Sequence, residues 1–99
     1  MANYLNMLGL ANRAGKLVLG EGAIIEHIRS QRVKLVLIAS DASPNTHKKL
    51  TDKCRTYHIP FELVDDRDTL SHAIGKEGRV AVGISDAGFS KRIIEMLRE

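Results

Sequence analysis

The sequence predicts an α/β domain, a three-layer α/β/α sandwich with a small mixed sheet. Three observations carry this. Helical and extended hydrophobic patterns alternate along the whole chain. Two apolar runs, Leu35–Ala39 and Val80–Ile84, are continuous rather than alternating, as in strands covered on both faces. The helical stretches between extended ones are long enough to act as crossovers.

The elements follow in order. Leu5, Leu8 and Ala11 recur at helical spacing with Met7 beside them, and Gly15 closes the segment, so a first helix runs from about Asn3 to Ala14. Leu17-Val18-Leu19 is a short extended stretch. Gly20-Glu21-Gly22 reads as a flexible turn that opens a second helix, with an apolar stripe of Ile24, Ile25 and Ile28. The run from Lys34 to Ala39 is a central strand. Ser43 then Pro44 is an N-cap followed by a proline at the first helical position. The helix they open carries Leu50, Cys54 and Tyr57, and Pro60 stops it.

Phe61–Val64 is a second strand. Asp65 and Asp66 are capping acids ahead of a short helix through Leu70, Ala73 and Ile74, which Gly75 ends. Lys76-Glu77-Gly78-Arg79 is a charged, mobile loop. Val80–Ile84 is a third strand, and Asp86 caps a last helix with Phe89, Ile93 and Leu97 on one face.

Composition sets bounds. A chain of 99 residues with 43% hydrophobic residues forms one domain, 1–99, with its own core. Aromatics are 4% with no Trp, so the core is aliphatic and a base-stacking platform is poorly supplied. The net charge of +3 is a mild pointer to a polyanionic partner. One cysteine, Cys54, allows no internal disulfide and fits a reducing cytoplasm. The N-terminal stretch has no signal-peptide pattern, and no apolar run approaches the ~20 residues that span a bilayer, so no membrane role is expected.

Catalytic patterns fail when tested residue by residue. Gly20-Glu21-Gly22 would need a third glycine at position 25 for a dinucleotide turn, and Ile25 stands there. No Gly-Lys-Ser/Thr follows to make a triphosphate loop. His27, His47, His58 and His72 are scattered, and no Cys/His spacing suits a metal. Cys54 lies on an apolar stripe and reads as a core thiol. The expectation is a non-enzyme without cofactor or metal.

The remaining signal is where cations gather. Arg13 and Lys16 flank Gly15, Arg29, Arg32 and Lys34 follow closely, and Lys76 and Arg79 lie in the late loop. In a layered α/β fold the loops at one end of the sheet converge, so the turn at Gly20–Gly22 and the loop at Lys76–Arg79 are expected to meet. Glycines beside a helix N-terminus would let a phosphate or base edge approach the backbone. His47, Lys48, Lys49, Lys53, Lys91 and Arg92 read as solvated surface charge.

The run Gly15–Gly20 (GKLVLG), the helix after it, and Lys34–Ala42 (KLVLIASDA) resemble the ribosomal protein L-seven-Ae / L-thirty-e family, which binds kink-turn RNA. Leu70–Gly75 (LSHAIG) and Arg79–Ile84 (RVAVGI) are similar to that family's final loop and strand. Leu8–Arg13, Asn45-Thr46, Thr51–Cys54 and Gly88-Phe89 look like its small bacterial members of the YlxQ type. The resemblance spans essentially the whole chain. It implies RNA binding without catalysis. The turn and first residues of the second helix would enter the groove of a sharply bent RNA internal loop, and the late loop would pack on protruding bases. Carried over, the RNA-binding residues are Gly20, Glu21, Gly22, Ala23 and Glu26, with Lys76, Gly78 and Arg79. Arg13, Lys16 and Lys34 add the charge noted above.

The chain departs from the family pattern at Gly22, Ala23 and Glu26, where kink-turn binders carry Asn or Lys, then Glu or Gln, then Lys. Gly22 and Ala23 have no side chain that reads G·A edges. The implied partner is a structured RNA, kink-turn-like or ribosomal, with ribosome association. The alternative is a protein-interaction module on the same fold that has lost its base-reading residues.

Overall fold

The computed structural model describes residues 3–99. Nine elements alternate along them: α1 (Tyr4–Arg13), β1 (Leu17–Leu19), α2 (Glu21–Arg29), β2 (Leu35–Ala39), α3 (Pro44–Tyr57), β3 (Phe61–Val64), α4 (Arg67–Ala73), β4 (Ala81–Ile84) and α5 (Ala87–Leu97). The strands form one mixed sheet in the order β1-β4-β2-β3. β4 runs antiparallel to both neighbours, and β2 pairs with β3 in parallel through the α3 crossover. Leu17–Leu19, read from sequence only as an extended stretch, is a full edge strand paired with β4 from Leu17↔Ile84 to Leu19↔Val82.

Alternation along each strand sorts side chains into two cores. Leu35, Leu37 and Ala39 with Val82 and Ile84 face α1, α4 and α5, where Leu8, Leu70, Ile74 and Ile93 meet them. Val36 and Ile38 with Val18 and Ala81 face α2 and α3, where Ile24, Ile28, Leu50 and Cys54 meet them. All five residues of β2 are fully buried, which is why its sequence is apolar without alternation. Truncating Leu37 or Ile38 to Ala would cost ~2–5 kcal/mol through lost transfer energy and the cavity left behind. Gly83 lies in the second core because a Cβ there would stand 3.0 Å from the Val33 Cγ2 and 3.3 Å from the Val18 Cβ.

The capping residues set where elements begin. Asn3, Ser43, Asp66 and Asp86 each accept a first-turn N–H of the helix that follows. Two sequence readings are corrected here. Asp65 does not cap α4; its carboxylate accepts from the Tyr4 hydroxyl at 2.6 Å and ties the start of α1 to the end of β3. Leu5 is not on the buried stripe of α1. Tyr4 and Met7 pack on the core with Leu8, while Leu5 lines a surface groove beside α4. Cys54 is a buried free thiol, and burial pushes its pKa up to about 11.

Strand directions fix the ends of the sheet. The C-terminal ends of β1, β2 and β3 and the N-terminal end of β4 share one end, called upper here. The loops that open α2, α3 and α4 all lie there, as does the loop into β4. The opposite, lower end carries the starts of β1 and β2 and the exit from β4.

Candidate nucleic-acid interface

The upper end joins the glycine turn to the late loop. Gly20, Glu21, Gly78, Arg79, Val80 and Ala81 line one shallow pocket of about 210 Å³. The register explains the meeting: Leu19 pairs with Val82, so the residues that follow β1 lie opposite those that precede β4.

The turn is tighter than its sequence suggested. Gly20 alone forms it, at φ 94° and ψ 134°, a conformation that favours glycine. Glu21 and Gly22 already belong to α2. The Gly20 carbonyl accepts from the Ile24 N–H at 2.9 Å, but no side chain caps α2. Among the described residues it is the one helix of five without a side-chain cap. Its first-turn N–H groups are therefore left for solvent or a ligand, at the positive end of the helix dipole. Gly22 and Ala23 are exposed, and a Cβ at Gly20 or Gly22 would meet nothing within 4 Å. Glu26 is exposed one turn further on, on the face shared with Gly22 and Ala23.

The late loop, read from sequence as mobile, is held at both ends by Ser71. The Ser71 carbonyl accepts from the Lys76 N–H at 3.0 Å. The Ser71 hydroxyl accepts from the Arg79 N–H at 2.8 Å and donates to the Arg79 carbonyl at 3.1 Å. Between these anchors Lys76, Glu77 and Gly78 are exposed, and Gly78 takes φ 66°. Loop and α4 together line a second pocket that includes Asp68, His72, Gly75 and Lys76.

Two acids at this end are paired. The Lys49 Nζ lies 3.4 Å from the Glu21 Oε2, and the Arg67 Nε lies 3.3 Å from the Asp41 Oδ2 while its Nη2 donates to the Asp41 carbonyl at 2.7 Å. These exposed pairs contribute only ~0–1 kcal/mol of stability each. Their greater effect is to neutralise carboxylates on a face that would otherwise repel phosphate. The Glu21 Oε1 is buried without a hydrogen-bond partner among the described residues, an acceptor the chain itself leaves unused.

Not every sequence-predicted residue is at this end. Arg13 closes α1 and lines the groove between α1 and α4, with Asn6, Gly9, Asp68 and His72. Lys16 and Lys34 lie at the lower end: the Lys16 carbonyl accepts from the Ser85 N–H at 2.9 Å, and the Lys34 N–H donates to the Ile84 carbonyl at 2.7 Å. Lys16, grouped from sequence with the RNA-binding residues of the glycine turn, thus stands at the opposite end of the sheet from Gly20. The three residues of β1 separate Lys16 from Gly20, four residue steps or roughly 13 Å of extended chain. Sequence reasoning missed Ser71 and Lys49. Neither carries a local signature, since each acts across a gap in sequence on a partner that only the fold supplies.

No group of three or more His, Cys, Asp or Glu side chains among the described residues is placed to hold a metal ion. No helix among them is long and apolar enough to cross a membrane.

Comparison with known proteins agrees with this architecture. The pattern of the ribosomal protein L7Ae/L30e/S12e/Gadd45 family matches residues 2–94. The chain is 52% identical over 94 residues to the RNA-binding protein YlxQ of Bacillus subtilis (strain 168), covering 95% of this chain and 94% of that one. A solved Bacillus halodurans C protein of unknown function superposes with a TM-score of 0.95 at 43% identity over all of both chains. The Giardia lamblia 15.5kD RNA binding protein shares the fold, with a TM-score of 0.81 at 18% identity over 95% of this chain and 81% of that one.

Proposed function

Because the chain belongs to the ribosomal protein L7Ae/L30e/S12e/Gadd45 family, we propose that it is a non-catalytic RNA-binding protein that docks a structured RNA on the upper end of its sheet. The observation that carries the proposal is the uncapped start of α2 at Gly20–Ala23, open above the backbone and set against Arg79. An RNA backbone entering there would accept from the N–H groups of Glu21, Gly22 and Ala23 and meet the charges of Lys76 and Arg79. Gly22 and Ala23 permit close approach. They supply no side-chain reader, so recognition rests on the shape of a bent or looped RNA more than on base identity. Within this reading the RNA is kink-turn-like or ribosomal, and the setting is the cytoplasm, in association with the ribosome.

The test is a titration of a kink-turn RNA and a straight duplex of equal length, each at two salt concentrations. The proposal predicts tighter binding to the bent RNA and an affinity that falls with salt as phosphate contacts require. Equal weak binding to both RNAs sinks the bent-RNA reading. Affinity indifferent to salt sinks the phosphate contacts.

A second reading, a protein-interaction module, is favoured by the absence of base-reading side chains at Gly22, Ala23 and Glu26. Recovery of a protein partner after nuclease treatment, with no RNA retained, would favour it over the first.

A further inference from the structure

The unpaired positive charge of this chain is not concentrated where the glycine turn is. Of its 15 Lys and Arg residues, Lys48, Lys49, Arg55, Arg67, Arg92 and Arg98 are in ion pairs among the described residues. Nine are outside those pairs, and four of the nine, Lys16, Arg29, Arg32 and Lys34, are exposed and lie close together. They gather at the lower end of the sheet. Leu17 and Leu35 both pair with Ile84 from opposite sides, so Lys16 and Lys34, one residue before each, are two strand spacings apart, about 10 Å. Arg32 and Lys34 flank the buried Val33, and both are exposed. The Ser30 hydroxyl accepts from the Arg32 Nε at 2.7 Å, which fixes the guanidinium while leaving its outer nitrogens available. Arg29, in the last turn of α2, also complements the negative end of that helix. Lys16, Arg32 and Lys34 have no such role.

Asp86, just past the exit of β4, has its carboxylate engaged with the Phe89 N–H at 2.8 Å as the cap of α5. The upper end, by contrast, carries Glu21, Asp41, Asp65, Asp66, Asp68 and Glu77.

We infer that Lys16, Arg32 and Lys34 form a second phosphate-binding surface, at the end of the sheet opposite the glycine turn, that takes the backbone of an RNA duplex. The inference rests on the reading of the chain as an RNA-binding protein. The chain then holds two RNA segments at once, one at each end of the sheet, and acts as a spacer between them. Exposed cations spaced along the end of a sheet suit phosphates of an RNA backbone. The ladder hydrogen bonds of this end use only the backbone of Lys16 and Lys34, so their side chains are free of any structural task.

Fluorescence anisotropy of a labelled blunt RNA duplex, titrated with the full chain over a series of salt concentrations, tests this. The double variant Lys16→Gln/Lys34→Gln is expected to weaken duplex binding about tenfold and to flatten the slope of log affinity against log salt by about 2. Lys48→Gln/Arg92→Gln, which removes two surface cations already held in ion pairs with Asp52 and Glu95, is expected to leave duplex binding unchanged. Two results overturn the second surface: no duplex binding by the unmodified chain, or a loss in Lys16→Gln/Lys34→Gln no greater than in the control variant. Binding to vesicles containing an anionic phospholipid, with none to the duplex, overturns it in favour of a membrane partner. Circular dichroism of each variant separates loss of binding from loss of fold. Failure of Lys76→Gln/Arg79→Gln to weaken kink-turn binding would instead count against the upper-end site and leave the duplex result standing.

Discussion

The Ser71 hydroxyl engages both backbone polar groups of Arg79, accepting from its N–H at 2.8 Å and donating to its carbonyl at 3.1 Å. Ser71 is buried at 2% exposure, so this pair of bonds is shielded from water. The contact fixes the late loop two residues before β4 begins at Ala81, and so sets where Arg79 faces Gly20. Ser71→Ala leaves a half-buried N–H and carbonyl without partners and is expected to cost ~1–3 kcal/mol. Urea unfolding reads the cost, and faster hydrogen exchange at the Arg79 amide reads its location. An unchanged exchange rate would show that the loop is held by other contacts.

Gly20 and Gly22 are predicted to respond to alanine in opposite directions. Both have open space where a Cβ would go. Gly20 has φ 94°, so Gly20→Ala is strained by its backbone alone and is expected to destabilise by ~1–3 kcal/mol. Gly22 is helical, so Gly22→Ala is expected to stabilise by ~0.5–1 kcal/mol. Thermal melts of the two variants check this. A destabilised Gly22→Ala would mean that the start of α2 is not the helix described.

The family pattern gives a gain-of-function prediction. Gly22→Asn/Ala23→Glu/Glu26→Lys restores residue types that kink-turn binders carry at these positions. Its kink-turn affinity is expected to rise at least tenfold, about 1.4 kcal/mol, with little change for a straight duplex. Isothermal titration with the two RNAs reads the difference. An equal gain for both RNAs would trace the effect to the variant's net gain of one positive charge and not to base reading.

Acid stability is predicted from Asp66. Its backbone hydrogen bond from Thr69 is the main cause that lowers its pKa in the folded chain. A carboxyl whose folded pKa lies below its unfolded value near ~3.9 contributes stability above that value, and the contribution is lost as pH falls through the depressed one. Asp66→Asn keeps an acceptor for the cap without the charge, so it should flatten the fall in stability below about pH 4. Unfolding midpoints across that range test the sign. An identical acid profile for both chains would remove Asp66 as a contributor.

Much of the fold was legible because its causes are local. Ser43-Pro44, Asp66 and Asp86 announce helix starts by side-chain chemistry that acts within one turn, and Leu35–Ala39 announces a doubly covered strand by lacking alternation. What was not legible depends on distance. Leu17–Leu19 is too short to read as a strand until β4 pairs with it. Asp65 reads as a cap until the Tyr4 hydroxyl arrives from 61 positions away. Ser71 and Lys49 serve the upper end through partners that no local pattern names.

The site itself was half legible. The meeting of Gly20 with Arg79 follows from the rule that loops at one end of an α/β sheet converge. The placement of Lys16 does not, because a strand of three residues carries the chain from one end of the sheet to the other between Lys16 and Gly20. Lys16 and Gly20 are near in sequence and stand at opposite ends of the sheet.

The most direct test of the central claim is amide mapping by nuclear magnetic resonance as a kink-turn RNA is added to the full chain. The account predicts that the backbone amides of Glu21, Gly22, Ala23, Gly78 and Arg79 shift first and most. Saturating shifts elsewhere, with these five amides unmoved, would contradict it.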